Sequence, residues 1–428
     1  IYMNRIRIPA GVVTPLQLKV LSSASQKYGD GMLHLTTRQD IQIHHVKLED
    51  TLKVMEYLQP YNLSPRGGGG NTVRNILACQ LSGICPEEVF DVKGYAVGLT
   101  ERLLKQESSF NLPRKIKIAF SGCGKDCAGC LVNDLGFLAR VREGRRGFKA
   151  FIGGGMGAHP RIGKLLEEFI SEEDLPYCVS AVKEVFYRKG DRRNKHHNRL
   201  RFLIEDMGLE EFRRLYKSEF EKKRSEEQIV LRRVDFPERE NEEEGVPGGE
   251  GEDYERFLRY SVRPQKQKGF SSIEMRIPRG DIPAGTLLQL AELERGFPGL
   301  EFRTTCNQNL VMVWVKNQDI QRMFLQLKEI LSDFLYPQTL LDVVACKGAL
   351  TCNLGLCHSP ALAGAMEKVI KENFTEKKVF RNLEIKLNGC PNACGHQPLG
   401  KLSFYGMVKR VDNRPVPFYN CLLYTSPS

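Results

Sequence analysis

The chain has 428 residues, 41% of them apolar, enough for about three domains with real cores. It contains no run of eighteen apolar residues and no basic segment leading into an apolar stretch, so neither membrane insertion nor a signal peptide is expected. Net charge is +11, yet the 63 Lys and Arg form neither a single tail nor an aromatic-interleaved stripe, which speaks against nucleic acid as a partner.

The segments from Arg5 to Leu58 read as strand (RIRIPAG), helix (TPLQLKVLSSASQKYG), strand (MLHLTTRQDIQIHHV) and helix (EDTLKVMEYL). Period-two alternation supports the strands and 3–4 spacing supports the helices. The run Gly67 to Gly70 separates this unit from a longer α/β unit that carries Cys79, Cys85, Cys123 and Cys127. Further on comes a basic run, RKGDRRNKHHNRLR, from Arg188 to Arg201. Standing alone it would be a solvated helix face, but it also suits an acidic partner or a polycarboxylate cofactor. The stretch Pro237 to Glu255 is acidic and rich in Gly and Pro, and it reads as a linker.

The pattern then repeats. IEMRIPRG, AGTLLQLAELERGF, LEFRTTCNQNLVMVWV and QDIQRMFLQLKEI follow between Ser272 and Ile330, with Arg276-Ile277-Pro278 standing 269 residues after Arg7-Ile8-Pro9. Cys346, Cys352, Cys390 and Cys394 repeat the first cysteine quartet as C-x5-C, a 38-residue step and C-x3-C, and one offset of 267 relates all four pairs. The chain is therefore an internal duplication whose unit presents four thiolates, the ligand set of an iron–sulfur cluster or a tetrahedral zinc site. The C-x5-C spacing is looser than the usual zinc knuckle. Cys130, Cys178, Cys306 and Cys357 have no repeat partners and are expected to be structural. Cysteines in metal-type spacings within a chain of this size point to a reducing cytoplasm, not to a secreted disulfide scaffold. The opening on Ile1 suggests truncation, and residues 421–428 break the preceding pattern like a non-native tail.

RIRIPAG, LTTRQDIQIH, NTVRN, NLPRKIKIAFSG, FIGGGMG and NGCPNACG, in this order with the cysteine pairs, make the chain resemble the siroheme- and [4Fe–4S]-dependent nitrite and sulfite reductases. The resemblance implies an internally duplicated α+β fold with a pseudo-twofold. Ferredoxin-like half-domains (1–65 and 264–335) would alternate with siroheme/[4Fe–4S]-binding α/β domains. The first such domain would span 66–236 and bind siroheme and substrate. An acidic linker would follow at 237–263, and a C-terminally truncated cluster domain would occupy 336–420. The implied activity is six-electron reduction of sulfite to sulfide or nitrite to ammonia. Electrons would come from ferredoxin or another donor protein, since no flavin or nicotinamide motif is present.

Residue by residue, the resemblance places substrate-binding cations at Arg7, Arg74, Lys115 and Lys117. Cofactor contacts fall at Arg38, Arg114, Gly153, Gly154, Gly155, Arg192, Lys195, Arg199 and Arg201. Cluster ligands fall at Cys346, Cys352, Cys390 and Cys394, with Cys394 also bridging to siroheme. A small oxyanion that gathers negative charge during reduction requires such cations. The equivalent second-half positions are Arg276, Leu341, Asn382 and Glu384, of which only the first is cationic, so one composite site is expected instead of two. The first quartet is a candidate for a second [4Fe–4S] cluster, made more polar by Lys125 and Asp126. Histidines lack partners at metal-ligand spacing and are expected at the surface or in supporting roles. Two rival readings are a non-catalytic electron-relay or cofactor-binding protein and a cobalamin-pathway relative on the same fold.

Overall fold

The computed structural model describes residues 2–236, 239–243, 245, 248–374 and 383–424. Two of its four sheets belong to the half-domains. One orders Tyr2–Ile6, Ile41–Val46, Met32–Leu35 and then Asp281–Pro283 from the second half. The other orders Val262–Pro264, Phe270–Met275, Leu310–Lys316, Glu301–Thr304 and then Val12–Val13 from the first half. Each half therefore closes an edge of the other: Asp281 pairs with His34, and Phe302 with Val13. The exchange satisfies backbone groups that a separate half would leave open.

Helices Pro15–Tyr28 and Ala284–Glu292, equivalent by the repeat, pack against each other. Around them a single core joins Ile6, Leu18 and Leu21 to Leu287, Phe302 and Met312. The first helix starts where Thr14 Oγ1 accepts from Gln17 N at 3.1 Å and the Gln17 side chain accepts from Thr14 N at 3.0 Å. This reciprocal cap, followed by proline at the first helical position, fixes the turn out of the strand.

Two segments expected as single strands are hairpins. MLHLTTRQDIQIHHV splits into Met32–Leu35 and Ile41–Val46, and its repeat splits into Glu301–Thr304 and Leu310–Lys316. Gln39 (φ 59°) and Gln308 (φ 65°) make the turns in the left-handed region. Thr36 Oγ1 accepts from Arg38 N at 3.2 Å and Asp40 N at 3.0 Å, which tightens the first turn. The alternation of Leu33, Leu35, Ile41 and Ile43 runs through the turn in phase, and no glycine or proline marks it.

The remaining sheets carry the cysteines. One orders Leu77–Ala78, Ile118–Ser121, Leu135–Arg142, Arg145–Ile152 and Lys164–Ser171. The other orders Val344–Ala345, Ile385–Asn388, Leu402–Val411 and Arg414–Leu423. In both, the first two pairings are parallel and the third antiparallel. Each quartet follows the carboxyl ends of the first two of its sheet's three parallel strands, where such sheets characteristically bind ligands. The last strand continues through Cys421 to Leu423, past the boundary expected at 420. The stretch 237–263 also contains more than a linker. Its helix Glu252–Tyr260 inserts Tyr254 and Phe257 into the shared core, while Pro237, Glu238, Glu244, Val246 and Pro247 lie outside the described residues.

Candidate active site

The hairpin turn Thr36–Asp40 pushes Thr37 and Arg38 away from the half-domain. Arg38 Nη1 donates to Asn133 Oδ1 at 2.8 Å and Nη2 to the Ile118 carbonyl at 3.0 Å, and burial brings its pKa down to about 10. Arg7 is buried and donates through Nη2 to Val73 O at 2.7 Å. Arg74 donates to the carbonyls of Gly68 and, at 3.0 Å, Gly70, and burial followed by the neighbouring Arg5 lowers it to about 9. The Gly67 to Gly70 run is thus more than a separator, because it wraps these guanidinium groups. A Cβ on Gly67 (φ +73°) would sit 2.5 Å from Arg7 Nη2, so no side chain fits there.

Lys115 and Lys117 lie just before strand Ile118–Ser121, and Lys117 N donates to Asp134 Oδ2 at 2.8 Å. Burial, then the charge of Arg199 and Arg74, lowers Lys115 to about 8. Lys117 is pushed down by burial, then by Arg38 and Lys115. Asp134 is fully buried and takes Arg199 Nη2 on both oxygens, at 2.9 and 2.8 Å. Arg201 donates to the Met156 carbonyl at 3.3 Å and lies against Gly155, whose added Cβ would meet Arg201 Nη1 at 2.7 Å. A Cβ on Gly154 would meet Leu131 O at 2.4 Å, and Gly153 takes φ +77°. Arg114 reaches Asn71 Oδ1 at 3.2 Å, and Arg192 reaches the Asn111 carbonyl at 3.1 Å, both toward the rim. Lys195 is exposed.

The second quartet closes on this cation cluster. Thr37 Oγ1 donates to the Cys394 carbonyl at 2.6 Å, and Lys115 and Lys117 both feel the charge of Cys394. Cys390 lies near Cys394 and Cys352, while Cys346 Sγ accepts from Gly389 N at 3.2 Å. Ala393 (φ 57°) and His396 (φ 62°) bend the C-x3-C loop, and a Cβ on Gly389 would lie 2.5 Å from Cys357 O. The first quartet gathers elsewhere: Cys79 lies beside Cys127, and Cys123 lies near Cys127 and Cys85. Among the described residues, no three His, Cys, Asp or Glu side chains converge as ligands of a single metal ion.

At the equivalent second-half positions the cations are gone or neutralised. Arg276 is fully buried between Asp333 at 2.6 Å and Glu367 at 3.0 Å. Leu341 is core, Glu384 pairs with Lys386 at 3.1 Å, and Asn382 lies outside the described residues.

Sequence reasoning missed three residues here. Asp40 is buried among Arg5, Arg7, Arg38 and Arg74; burial raises its pKa against those cations, and its Oδ1 has no partner among the described residues. Thr37 supplies the link to Cys394. His396 sits beside Lys117, Lys386 and Arg38, and burial lowers its pKa. The available signal was their place inside TTRQD and NGCPNACGH. Cys306, expected to be structural, stands in the repeat where Thr37 stands and lies near Arg38 and Cys127.

Comparison with known proteins agrees with this geometry. The family model described as "Nitrite and sulphite reductase 4Fe-4S domain" matches residues 69–224, and "Nitrite/Sulfite reductase ferredoxin-like half domain" matches 1–61 and 263–330. The chain is similar to the chloroplastic ferredoxin–nitrite reductase of Spinacia oleracea, 31% identical over 96% of this chain and 67% of that one. It also resembles the assimilatory ferredoxin-dependent nitrite reductase of Haloferax mediterranei, 27% identical over 97% of this chain and 72% of that one. The structure of the Mycobacterium tuberculosis NirA protein shares the fold, with a TM-score of 0.82 over 98% of this chain and 74% of that one at 22% identity. The protein is therefore an oxidoreductase of duplicated α+β fold. It belongs to the nitrite and sulfite reductase family, whose cofactors are siroheme and a [4Fe–4S] cluster.

The residues present fit those groups. Buried Nε atoms of Arg38, Arg199 and Arg201 lack partners among the described residues, as donors awaiting a polycarboxylate would, and that of Arg74 is likewise unpartnered beside the substrate cations. Gly153 to Gly155 allow the loop to pack tightly against Leu131 O, Asn133 O and the Arg201 guanidinium, which holds that cation in place beside the site. Four thiols supplied by C-x5-C and C-x3-C loops at the ends of parallel strands are the donor set a [4Fe–4S] cluster takes.

Proposed function

We propose that the chain reduces nitrite to ammonia, with electrons from ferredoxin. One observation carries this reading: the Thr37–Cys394 hydrogen bond of 2.6 Å brings the cation cluster of the first half against the last thiol of the second quartet. Relatives named as ferredoxin–nitrite reductases, up to 31% identical over nearly the whole chain, favour nitrite over sulfite and ferredoxin over other donors. Siroheme and cluster, when bound, supply the electrons. Cys346, Cys352, Cys390 and Cys394 would hold the cluster, with Cys394 on the side of the cations that would hold siroheme. Arg38, Arg114, Arg192, Lys195, Arg199 and Arg201, with the Gly153 to Gly155 loop, hold the carboxylates.

Arg7, Arg74, Lys115 and Lys117 hold the oxyanion. All four are desolvated, and Arg7 and Arg74 are fixed by backbone carbonyls, so little reorganisation accompanies the growth of negative charge. The lysine Nζ atoms also donate protons as oxygen leaves as water, their lowered pKa values making them the better acids. Among the described residues no helix is long and apolar enough to cross a membrane. The thirteen free cysteines favour a reducing compartment, the cytoplasm in our reading.

The test is turnover by anaerobically purified protein with reduced ferredoxin. Nitrite-dependent oxidation with ammonia as product, and a kcat/KM for nitrite well above that for sulfite, is the expected result. Preference for sulfite, or siroheme bands without turnover, refutes the reading.

A further inference from the structure

The mechanism above leaves the first quartet unused. We propose that Cys79, Cys85, Cys123 and Cys127 bind a second [4Fe–4S] cluster, one with no siroheme beside it. The proposal goes beyond the nitrite reading and does not depend on it.

The backbone of the second cradle is reproduced in the first. Cys79 N donates to Phe120 O at 3.1 Å, as Cys346 N does to Leu387 O at 3.1 Å. Cys85 N donates to Leu81 O at 2.9 Å, as Cys352 N does to Gly348 O at 3.0 Å. Asp126 (φ 50°) and Gly129 (φ 67°) bend the C-x3-C loop where Ala393 (φ 57°) and His396 (φ 62°) bend its counterpart. A left-handed aspartate costs conformational energy, and the loop keeps it. All four first-half cysteines are free thiols, and the C-x3-C pairs match in exposure: Cys123 and Cys390 are buried, Cys127 and Cys394 exposed, while Cys79 and Cys85 are each more buried than Cys346 and Cys352.

The loop between Cys79 and Cys85 is also held in place. Arg303 Nη1 donates to the carbonyls of Gln80 at 2.9 Å and Ser82 at 2.7 Å, and Lys93 Nζ reaches Ser82 O at 2.8 Å. Gln267 Nε2 takes the Gly83 carbonyl at 3.0 Å. Lys125 and Asp126, expected from sequence to make the site more polar, direct their charges to other partners. The Asp126 carboxylate turns inward to Ser121 Oγ at 2.9 Å, Cys130 N at 2.7 Å and Leu131 N at 3.1 Å. Lys125 pairs outward with Glu87 at 2.6 Å. A set of thiols freed from function would not need a preorganised loop of this kind, and zinc would need three or four ligands drawn to one point, which neither quartet shows. No siroheme stands beside this quartet in our reading, because at the second-half positions equivalent to the substrate cations Arg276 is neutralised by Asp333 and Glu367 and the other residues are not cationic.

The decisive measurement is non-haem iron and acid-labile sulfide per polypeptide in anaerobically purified holoenzyme, with zinc assayed alongside. We expect about eight irons in the parent and about four in Cys123→Ala, with siroheme content and its absorption unchanged. Cys85→Ala, on the half-exposed loop, gives the same reading should Cys123→Ala fail to fold. The reduced parent should also show a paramagnetic cluster signal that is uncoupled from siroheme and lost in these variants. About four irons in the parent, a parent value unchanged by either variant, or stoichiometric zinc overturns the proposal. Loss of nitrite turnover with eight irons retained would refute the activity reading and leave this one standing.

Discussion

Lys117 is held by its own backbone, through the hydrogen bond to Asp134, while its ammonium faces Lys115, Arg38 and the thiol of Cys394. In the proposed reading it is a substrate cation, and that placement leaves it little structural duty. Lys117→Met, and separately Lys115→Met, should lower kcat/KM by the equivalent of about 2–4 kcal/mol while siroheme and cluster absorption stay intact. Kinetics unchanged in both would remove the pair from the site. The thiols divide the other way. Cys394→Ser should retain iron but lose coupling between cluster and siroheme in the paramagnetic spectrum, whereas Cys390→Ser, on a buried ligand, should prevent cluster assembly. Wild-type coupling in both variants would mean that the cluster sits elsewhere. Spacing and motif made these residues legible in the sequence, because lysines at period two on a strand and cysteines at a fixed offset are one-dimensional patterns. Asp40 was not legible. Its meaning comes from Arg5, Arg7 and Arg74, which reach it from outside its own turn.

At the scale of elements, duplication, order and helix–strand type followed from the repeat, and the two hairpin turns did not. TTRQD turns through one left-handed glutamine and a threonine hydroxyl, neither of which interrupts the alternation of apolar residues. The second half carries the same turn, and there Asn309 holds a buried acidic pair. Asn309 Nδ2 donates to Glu274 Oε1 at 3.2 Å and to Asp342 Oδ2 at 2.6 Å. Burial, followed by the charge of Asp342, raises Glu274 from 4.5 to about 7. The folded protein therefore binds the extra proton more tightly than the unfolded chain. This contribution to stability is full below pH 4.5 and is lost as pH rises through 7. The loss should be on the order of 1–3 kcal/mol in denaturant melts, and Glu274→Gln should flatten that part of the profile. An equally steep profile in the variant would assign the slope to other groups.

The whole molecule is two halves that do not separate. Val12–Val13 closes the sheet of the second half-domain, Asp281–Pro283 closes that of the first, and one core runs through both. Gln39 Nε2 donates to Thr304 O at 3.0 Å, and its repeat partner Gln308 donates to Leu35 O at 3.1 Å, so the pseudo-twofold is itself hydrogen-bonded. The composite site depends on this, since its cations come from one half and its cluster thiols from the other. Trp314, the single tryptophan, reports on the second half from a cluster with Phe270 and Ile84, and Ile84 belongs to the first cysteine loop. Unfolding should accordingly be one transition: Trp314 fluorescence and far-ultraviolet dichroism should share a midpoint in urea. Val13→Ala, which removes buried methyl groups from the exchanged first-half strand, should destabilise by about 1–2 kcal/mol and move both signals together. A tryptophan transition that stays in place while the dichroism shifts would show that the halves fold separately, and a site shared between them would then lack its rigid frame.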